Sequence, residues 1–162
     1  MDLRNNYRIV RFDARTLAVE DSLVIDLQGD NFILAPSINR AFAGDFHRGQ
    51  ISEIELFPKL RLVENIPGPL CSRSMAFDTR RGFLYATSVI TGEFHVIDIA
   101  TKTTIYRAFI GNKASNVFFH AELDRVYVSC ARGIFLFDPA AFERSIRAAA
   151  MTEGALKTDI PR

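Results

Sequence analysis

Tryptophan is absent from this chain of 162 residues, and cysteine and histidine are scarce, at two and three copies. Cys71 and Cys130 share no C-x-x-C spacing and make no disulfide framework, so both read as free thiols, which favours a reducing compartment. No apolar run approaches the ~18 residues that a spanning helix needs, and no membrane span is expected. The opening stretch MDLRNNYRIVRF has no apolar h-region, so no secretory signal is visible and the cytoplasm is the default expectation. An excess of charge of one sign is missing too: twenty basic residues against nineteen acidic leave +1, no field to draw nucleic acid or anionic lipid. Nine glycines and six prolines are too few for a low-complexity chain. The nucleophile elbow G-x-S-x-G, the zinc motif H-E-x-x-H, the phosphate loop G-x-x-x-x-G-K-[ST] and the dinucleotide glycine pattern are all absent.

What the chain does have is hydrophobic content of 48%, with fourteen Phe and four Tyr, an aromatic and strand-compatible inventory sized for one domain. It also repeats itself. Asp13, Glu55, Asp98 and Asp138 each follow a strand-like run, at spacings of 42, 43 and 40 residues. The aromatics Phe42, Tyr85 and Tyr127 are spaced by 43 and 42, and Gly49, Gly92 and Gly133 by 43 and 41. Three markers agree on a period near 42.

Within one period the text is strand after strand. RSMAF, FLYATSV, EFHVID and TTIYRAFI are joined by the turns DTRRG, ITG and IATK, with no helical spacing. A four-stranded antiparallel unit of ~40–45 residues is the size of one β-propeller blade, which buries its two faces by stacking on neighbours around an axis. Asp13, Asp98 and Asp138 are expected to form turns, accepting hydrogen bonds from backbone N–H groups just downstream. The stretch FDTRRGFLYATSVITGEFHVIDIATKTTIYRAFIGNKASNVFF resembles the repeats of YVTN/NHL-type propellers. LYATS and VYVSC stand at the tetrapeptide of that family, and HVIDIATKT at its strand-Asp-x-x-Thr turn. The likeness is good over 70–138 and weaker over 7–69, where Glu55 replaces the turn Asp.

The expected fold is all-β: a propeller-like arc of about three and a quarter four-stranded blades. With strands labelled a to d from the axis outward, 7–26 supplies c and d, 31–66 and 74–110 supply full blades, and 114–138 supplies a, b and c. The blades fill 1–138, and 139–162 forms a short C-terminal helix and tail, with Pro139 at the helix start and ALKTDIPR trailing off. Closed propellers usually have ~4–8 blades. An arc leaves raw faces and open strand edges, so the chain is expected to be part of a longer propeller, to pair with a second chain, or to cap its own ends. Phe135, Phe137, Phe142 and Ile146 are the expected interface at one end, with Ile9 and Phe12 at the other.

Candidate chemistry is thin. His47 ends a b strand, His95 lies mid-c as a half-buried or solvent-facing residue, and His120 opens an a–b turn, so the three are not expected to converge on a metal. Glu53 and Glu55 share one strand face as a solvated pair, and Cys130, two residues before Arg132, reads as a buried strand-end thiol. No catalytic residue, metal or cofactor is assigned. The d–a and b–c connections gather Asp30, Asn31, His47, Arg48, Arg73, Asn112, Asn116 and Arg132, a polar loop face suited to an acidic or phosphorylated ligand. The functional expectation is a non-catalytic binding or assembly module, partnered by a protein or by remaining propeller blades, with oligomerisation possible and no nucleic-acid partner. The alternative, implied by the resemblance, is an amine-dehydrogenase-like or calcium-dependent lactonase-like enzyme, for which Asn116 and Asp30 are the available ligands.

Overall fold

In the computed structural model the described residues are 7–29 and 31–158, with side chains through 149. Thirteen strands follow one another as a meander: β1 (Tyr7–Phe12), β2 (Val19–Ile25), β3 (Asn31–Ala35), β4 (Arg40–Gly44), β5 (Gln50–Glu55), β6 (Arg61–Pro67), β7 (Ser72–Asp78), β8 (Phe83–Ser88), β9 (Glu93–Asp98), β10 (Thr103–Phe109), β11 (Asn116–His120), β12 (Arg125–Cys130) and β13 (Gly133–Phe137). They form four antiparallel sheets, β1–β2, β3 to β6, β7 to β10 and β11 to β13, which we call blades A to D. The chain is therefore a propeller arc with two complete blades between two partial ones, followed by helix α1 (Pro139–Thr158). The helix continues past Gly154 to Thr158, so ALKT, expected in a tail, is helical; 159–162 lie outside the described residues. An alanine-rich run with no proline between Pro139 and Thr158 favours that continuation.

The 42-residue register is visible in the pairings. Phe42, Tyr85 and Tyr127 occupy the same place in strand b, opposite Ile33, Ala76 and Phe118 in a and Glu53, Val96 and Leu136 in c. Successive strand residues face opposite blades, as the pleat requires. Ile9, Leu23 and Ile25 of blade A pack on Ala41, Ala43 and Ile54 of blade B. Phe42, Ile51 and Ile66 of blade B pack on Met75, Leu84 and Ile97 of blade C. Phe83, Tyr85, Phe94 and Val96 of blade C meet Val117, Val126 and Val128 of blade D. Each interior face is thus covered by the next blade, and the core is a series of sheet-on-sheet layers.

This layering corrects two expectations at the open ends. Phe137 and Phe142 belong to the core between blades C and D: Phe137 packs on Tyr85, Phe94 and Tyr106, and Phe142 on Phe83, Tyr106 and Phe137. The period-2 alternation puts Phe137 on the blade-C side of β13, and the first turn of α1 folds back over the same rim. Ile9 likewise faces inward to blade B, whereas Phe12 is exposed. Phe135 shares the side of Phe137 but stays partly exposed, and Ile146 lies at the solvent edge of α1.

The turn aspartates behave as the sequence suggests. Asp13 Oδ1 accepts from the N–H groups of Arg15 and Thr16, Asp98 Oδ1 from Ala100, and Asp138 Oδ1 from Ala141, where it caps α1. In blade B, where Glu55 stands instead, Asn39 does this work from another loop, donating to the Phe57 carbonyl at 2.7 Å and accepting from its N–H at 3.0 Å.

Candidate functional site

Three strand-end side chains stitch the loop end of the arc together. Asp45, Ser88 and Cys130 close strand b in blades B, C and D, at the same repeat position. Asp45 Oδ1 accepts from the N–H groups of His47 and Arg48, at 2.7 and 2.8 Å, and its Oδ2 from that of Gln28 at 3.4 Å. Ser88 Oγ accepts from Thr91 N–H and donates to the Leu70 carbonyl. Cys130 Sγ accepts from Arg132 N–H and donates to the Ile110 carbonyl, both at 3.3 Å. In each case one side chain binds the b–c turn and the preceding d–a connection. Reading by residue type hid this, because carboxylate, hydroxyl and thiol do the same job; reading by repeat position reveals it. Backbone bonds reinforce the tie, from Gly68 N–H to the Gly49 carbonyl at 2.9 Å and from Ala131 N–H to the Asn112 carbonyl at 2.9 Å.

The polar loop residues divide into clusters. His47 sits in the b–c turn of blade B, beyond the end of β4 at Gly44, with its ring edge-on to Phe46. Arg48 is engaged by Asp26, at 2.9 and 3.0 Å to the carboxylate and 2.9 Å to the carbonyl. That hydrogen-bonded carboxylate holds the guanidinium protonated more firmly than usual. Asn31 opens β3 beside these loops, and Asp30 lies outside the described residues. Arg73 is in β7, one blade on. Asn112, Asn116 and Arg132 gather at blade D, all exposed, with Asn116 Nδ2 donating to the hydroxyls of Ser115 and Ser129. Blade B therefore supplies one polar group, already tied down by Asp26 and Asp45, and blade D a second, open one.

The histidines stay apart, one each in blades B, C and D, and among the described residues no three His, Cys, Asp or Glu side chains gather as a metal-ligand set. His95 is more deeply placed than expected: it is buried, with Nε2 3.3 Å from Glu93. Burial holds its pKa below the ordinary value, and Glu93 only partly offsets this. Glu53 is also buried rather than solvated, because Arg40 of the neighbouring strand (3.0 Å) and Lys102 of the next blade both reach it. Glu55 is shared by Arg40 and Arg61.

A further cluster at the opposite end of the arc was not apparent from the sequence. Arg81, almost fully buried, donates to Asp78 and to both oxygens of Asp124 at 2.7 Å, and to Glu143 of α1 at 3.1 Å. The Tyr85 hydroxyl donates to Asp78 at 3.2 Å. The Asp124 contact holds Arg81 protonated against its burial, and Arg81 in turn holds the Asp124 carboxyl below its usual range. One guanidinium thus joins the a–b turns of blades C and D to the helix. A signal exists in hindsight: Asp78 precedes Arg80-Arg81, and Asp124 lies 43 residues after Arg81 in the equivalent turn.

The remaining surfaces are the open ends. On blade D, Phe118, Tyr127, Ile134 and Leu136 form the face turned away from blade C, three of them largely exposed. On blade A, Val10, Phe12, Val19 and Val24 are exposed, and a cleft of about 390 Å³ lined by Tyr7, Ile9, Ile25, Leu27, Phe32 and Ala43 lies beside β1. None of the described helices is long and apolar enough to cross a membrane.

No protein-family model matches the chain, and no curated protein does. Solved structures do. The chain is similar to Sqt1 of Saccharomyces cerevisiae, with a TM-score of 0.71 and 13% identity, over 82% of this chain and 40% of that one. It is similar to the Cps50 (Swd1) β-propeller domain of Myceliophteria thermophila, at 0.65 and 12%, over 77% and 42%. It is also similar to hydrazine synthase of Kuenenia stuttgartiensis, at 0.63 and 16%, over 68% and 32%. At these identities the likeness is one of fold. The chain spans about a third to two fifths of the length of these structures.

Proposed function

We propose that this propeller module is a non-catalytic binding or assembly unit whose open blade-D face is covered by further propeller blades, in a longer parent or a multi-chain complex. One observation carries the reading. Ala76, Tyr85, Phe94 and Val96 occupy the repeat positions of Phe118, Tyr127, Ile134 and Leu136 and are packed against blade D, Tyr85 and Val96 with no exposure at all. Their blade-D counterparts Phe118, Ile134 and Leu136 are 59%, 69% and 64% exposed. A face with the composition of a blade interface is one built to be covered. The coverage of the similar structures is consistent with this, since the arc matches under half of each. We also read the repeat as YVTN/NHL-type, supported by the Asp98 turn bond and by Tyr85 and Tyr127 at matching places in strand b.

The test is sedimentation velocity of the chain over a micromolar concentration series, beside an Ile134→Asp, Leu136→Asp variant. The reading expects the parent to associate through this face and the variant to remain monomeric with an unchanged melting temperature. A parent that is already monomeric, with a variant that melts well below it, would mean that the face packs within the chain and that the reading is wrong.

A further inference from the structure

We propose that the cleft between the outer parts of blades B and C binds a free α-amino acid, with His95 accepting from its ammonium group and Arg107 holding its carboxylate. The site lies between the two complete blades, so it does not depend on what covers blade D.

The register of β10 builds it. In each outer pairing, β1–β2, β5–β6 and β9–β10, the outer strand carries one additional residue: Glu20, Val63 and Ile105. Such a bulge re-aims the strand. In β10 it leaves Thr104 opposite Ile97 and Arg107 opposite His95. Ile97 packs toward blade B, and the pleat puts His95, two residues earlier, on the same side. His95, Thr104 and Arg107 therefore line one cleft of about 460 Å³, with Ile105 and Tyr106 beside them and Gly68, just past β6, from blade B. That volume falls within the ~300–1,000 Å³ range of small-molecule sites.

An unmet acceptor sets its chemistry. His95 is 6% exposed, and its Nε2 lies 3.3 Å from Glu93. Thr91 Oγ1 donates to the same carboxylate at 2.8 Å, and against its burial these two contacts hold the Glu93 carboxyl below its ordinary range. An ionised carboxylate only accepts, so Nε2 carries the proton and Nδ1 is left with a lone pair. Burial keeps the ring neutral. Nδ1 is covered from solvent and has no hydrogen-bond partner among the described residues. The fold does not require this. In blade B, Ser52 and Asn65 stand where His95 and Arg107 stand, and Ser52 Oγ closes that pair by donating to Asn65 Oδ1 at 2.7 Å. Blade C has instead a buried acceptor and a cation that are not bonded to one another. A buried polar group without a partner costs stability, and where one persists it calls for a role.

The charges select the ligand. Arg107 is 65% exposed and 3.6 Å from Glu93 Oε1, so one positive and one negative group flank a neutral acceptor. A lone carboxylate would meet Arg107 but face Glu93, and a lone amine would meet the reverse. A zwitterion matches all three groups: its ammonium donates to Nδ1 near Glu93, and its carboxylate takes the guanidinium fork. Residues directly opposite in a ladder stand ~4.5–5.5 Å apart at Cβ, so one compact ligand reaches both. Binding draws Arg107 from its long contact with Glu93 and uncovers Nδ1.

The probes are L-alanine, L-lactate and ethylamine, each titrated into the whole chain carrying isotope-labelled histidine. L-Alanine is expected to bind saturably with a Kd of about 1 mM or below, and the His95 Nδ1 resonance should move along the same isotherm. L-Lactate lacks the positive group and ethylamine the negative one, so each should bind about tenfold more weakly or worse. Arg107→Gln, at an exposed position, should weaken L-alanine about tenfold or more with the melting temperature unchanged, and His95→Phe should abolish binding. The inference is overturned by no saturation with L-alanine, by L-lactate or ethylamine binding as tightly, by binding that leaves Nδ1 unmoved, or by Arg107→Gln without effect.

Discussion

Replacing Arg81 with methionine removes the guanidinium while keeping most of the aliphatic stem, so the effect is chiefly electrostatic. Three carboxylates lose their shared cation: Asp78, wholly buried; Asp124, mostly buried; and Glu143, about one-third exposed. Removing one partner of a buried ion pair costs about 3–5 kcal/mol, because the other charge stays buried and uncompensated. Asp78 keeps the N–H of Arg80 and the Tyr85 hydroxyl, and the other two carboxylates keep some water, so the lower end applies, about 3 kcal/mol. That is a large share of a domain's ~5–15 kcal/mol. Urea unfolding at neutral pH measures it, with Asp78→Asn made in both backgrounds. Neutralising Asp78 should be costly with Arg81 present and partly compensating without it, a coupling of at least about 1 kcal/mol. Acid titration gives a second readout. A carboxyl held below its ordinary pKa contributes stability that is present above that value and lost as pH falls through the lowered one. Arg81→Met should remove the Asp124 part of this dependence. A loss under about 1 kcal/mol, the scale of a surface pair, or strict additivity would refute the reasoning.

The strand-end tie in blade D should tolerate Cys130→Ser, since Ser88 does the same work one blade earlier, whereas Cys130→Ala should cost about 1 kcal/mol in thermal unfolding. Gly92 and Gly82 both have left-handed backbone, with φ of +69° and +70°, but a Cβ on Gly92 would lie 2.5 Å from the Gly111 carbonyl oxygen while one on Gly82 meets open space. Gly82→Ala should therefore cost about 1–2 kcal/mol of backbone strain and Gly92→Ala distinctly more; equal losses would mean that the loops yield freely. His95 is held neutral by burial, so the unfolded chain takes up its proton first: stability should fall as pH drops below about 6.5 toward the lowered folded value, and His95→Phe should flatten that window in pH-dependent melts.

What the sequence disclosed and what it hid have physical causes. The blade register was legible because Phe42, Tyr85 and Tyr127 recur in one strand and because Asp13, Asp98 and Asp138 each accept from backbone N–H groups two or three residues away. Local interactions leave local marks. Glu53 was misread because one of its cations, Lys102, comes from a turn 49 residues away, on the next blade. Phe137 was assigned to an open end because a strand's alternation gives two faces without saying which neighbour covers each. The recurrent bulge beside strand c has no residue signature at all, with Glu20, Val63 and Ile105 as the additional residues. Of the loop-face residues, the spacing placed His47, Arg48, Asn112 and Arg132 in connecting loops but could not show that Asp26 already engages Arg48.

The central claim is that the blade-D face is an interface. Carbene footprinting of the chain in the assembly isolated from its source, and again after dissociation, reads Phe118, Ile134 and Leu136 directly. The account expects all three to be protected in the assembly and labelled after dissociation, while Leu123, exposed in the a–b turn away from that face, serves as the reference. Equal labelling of the three residues in both states would contradict it.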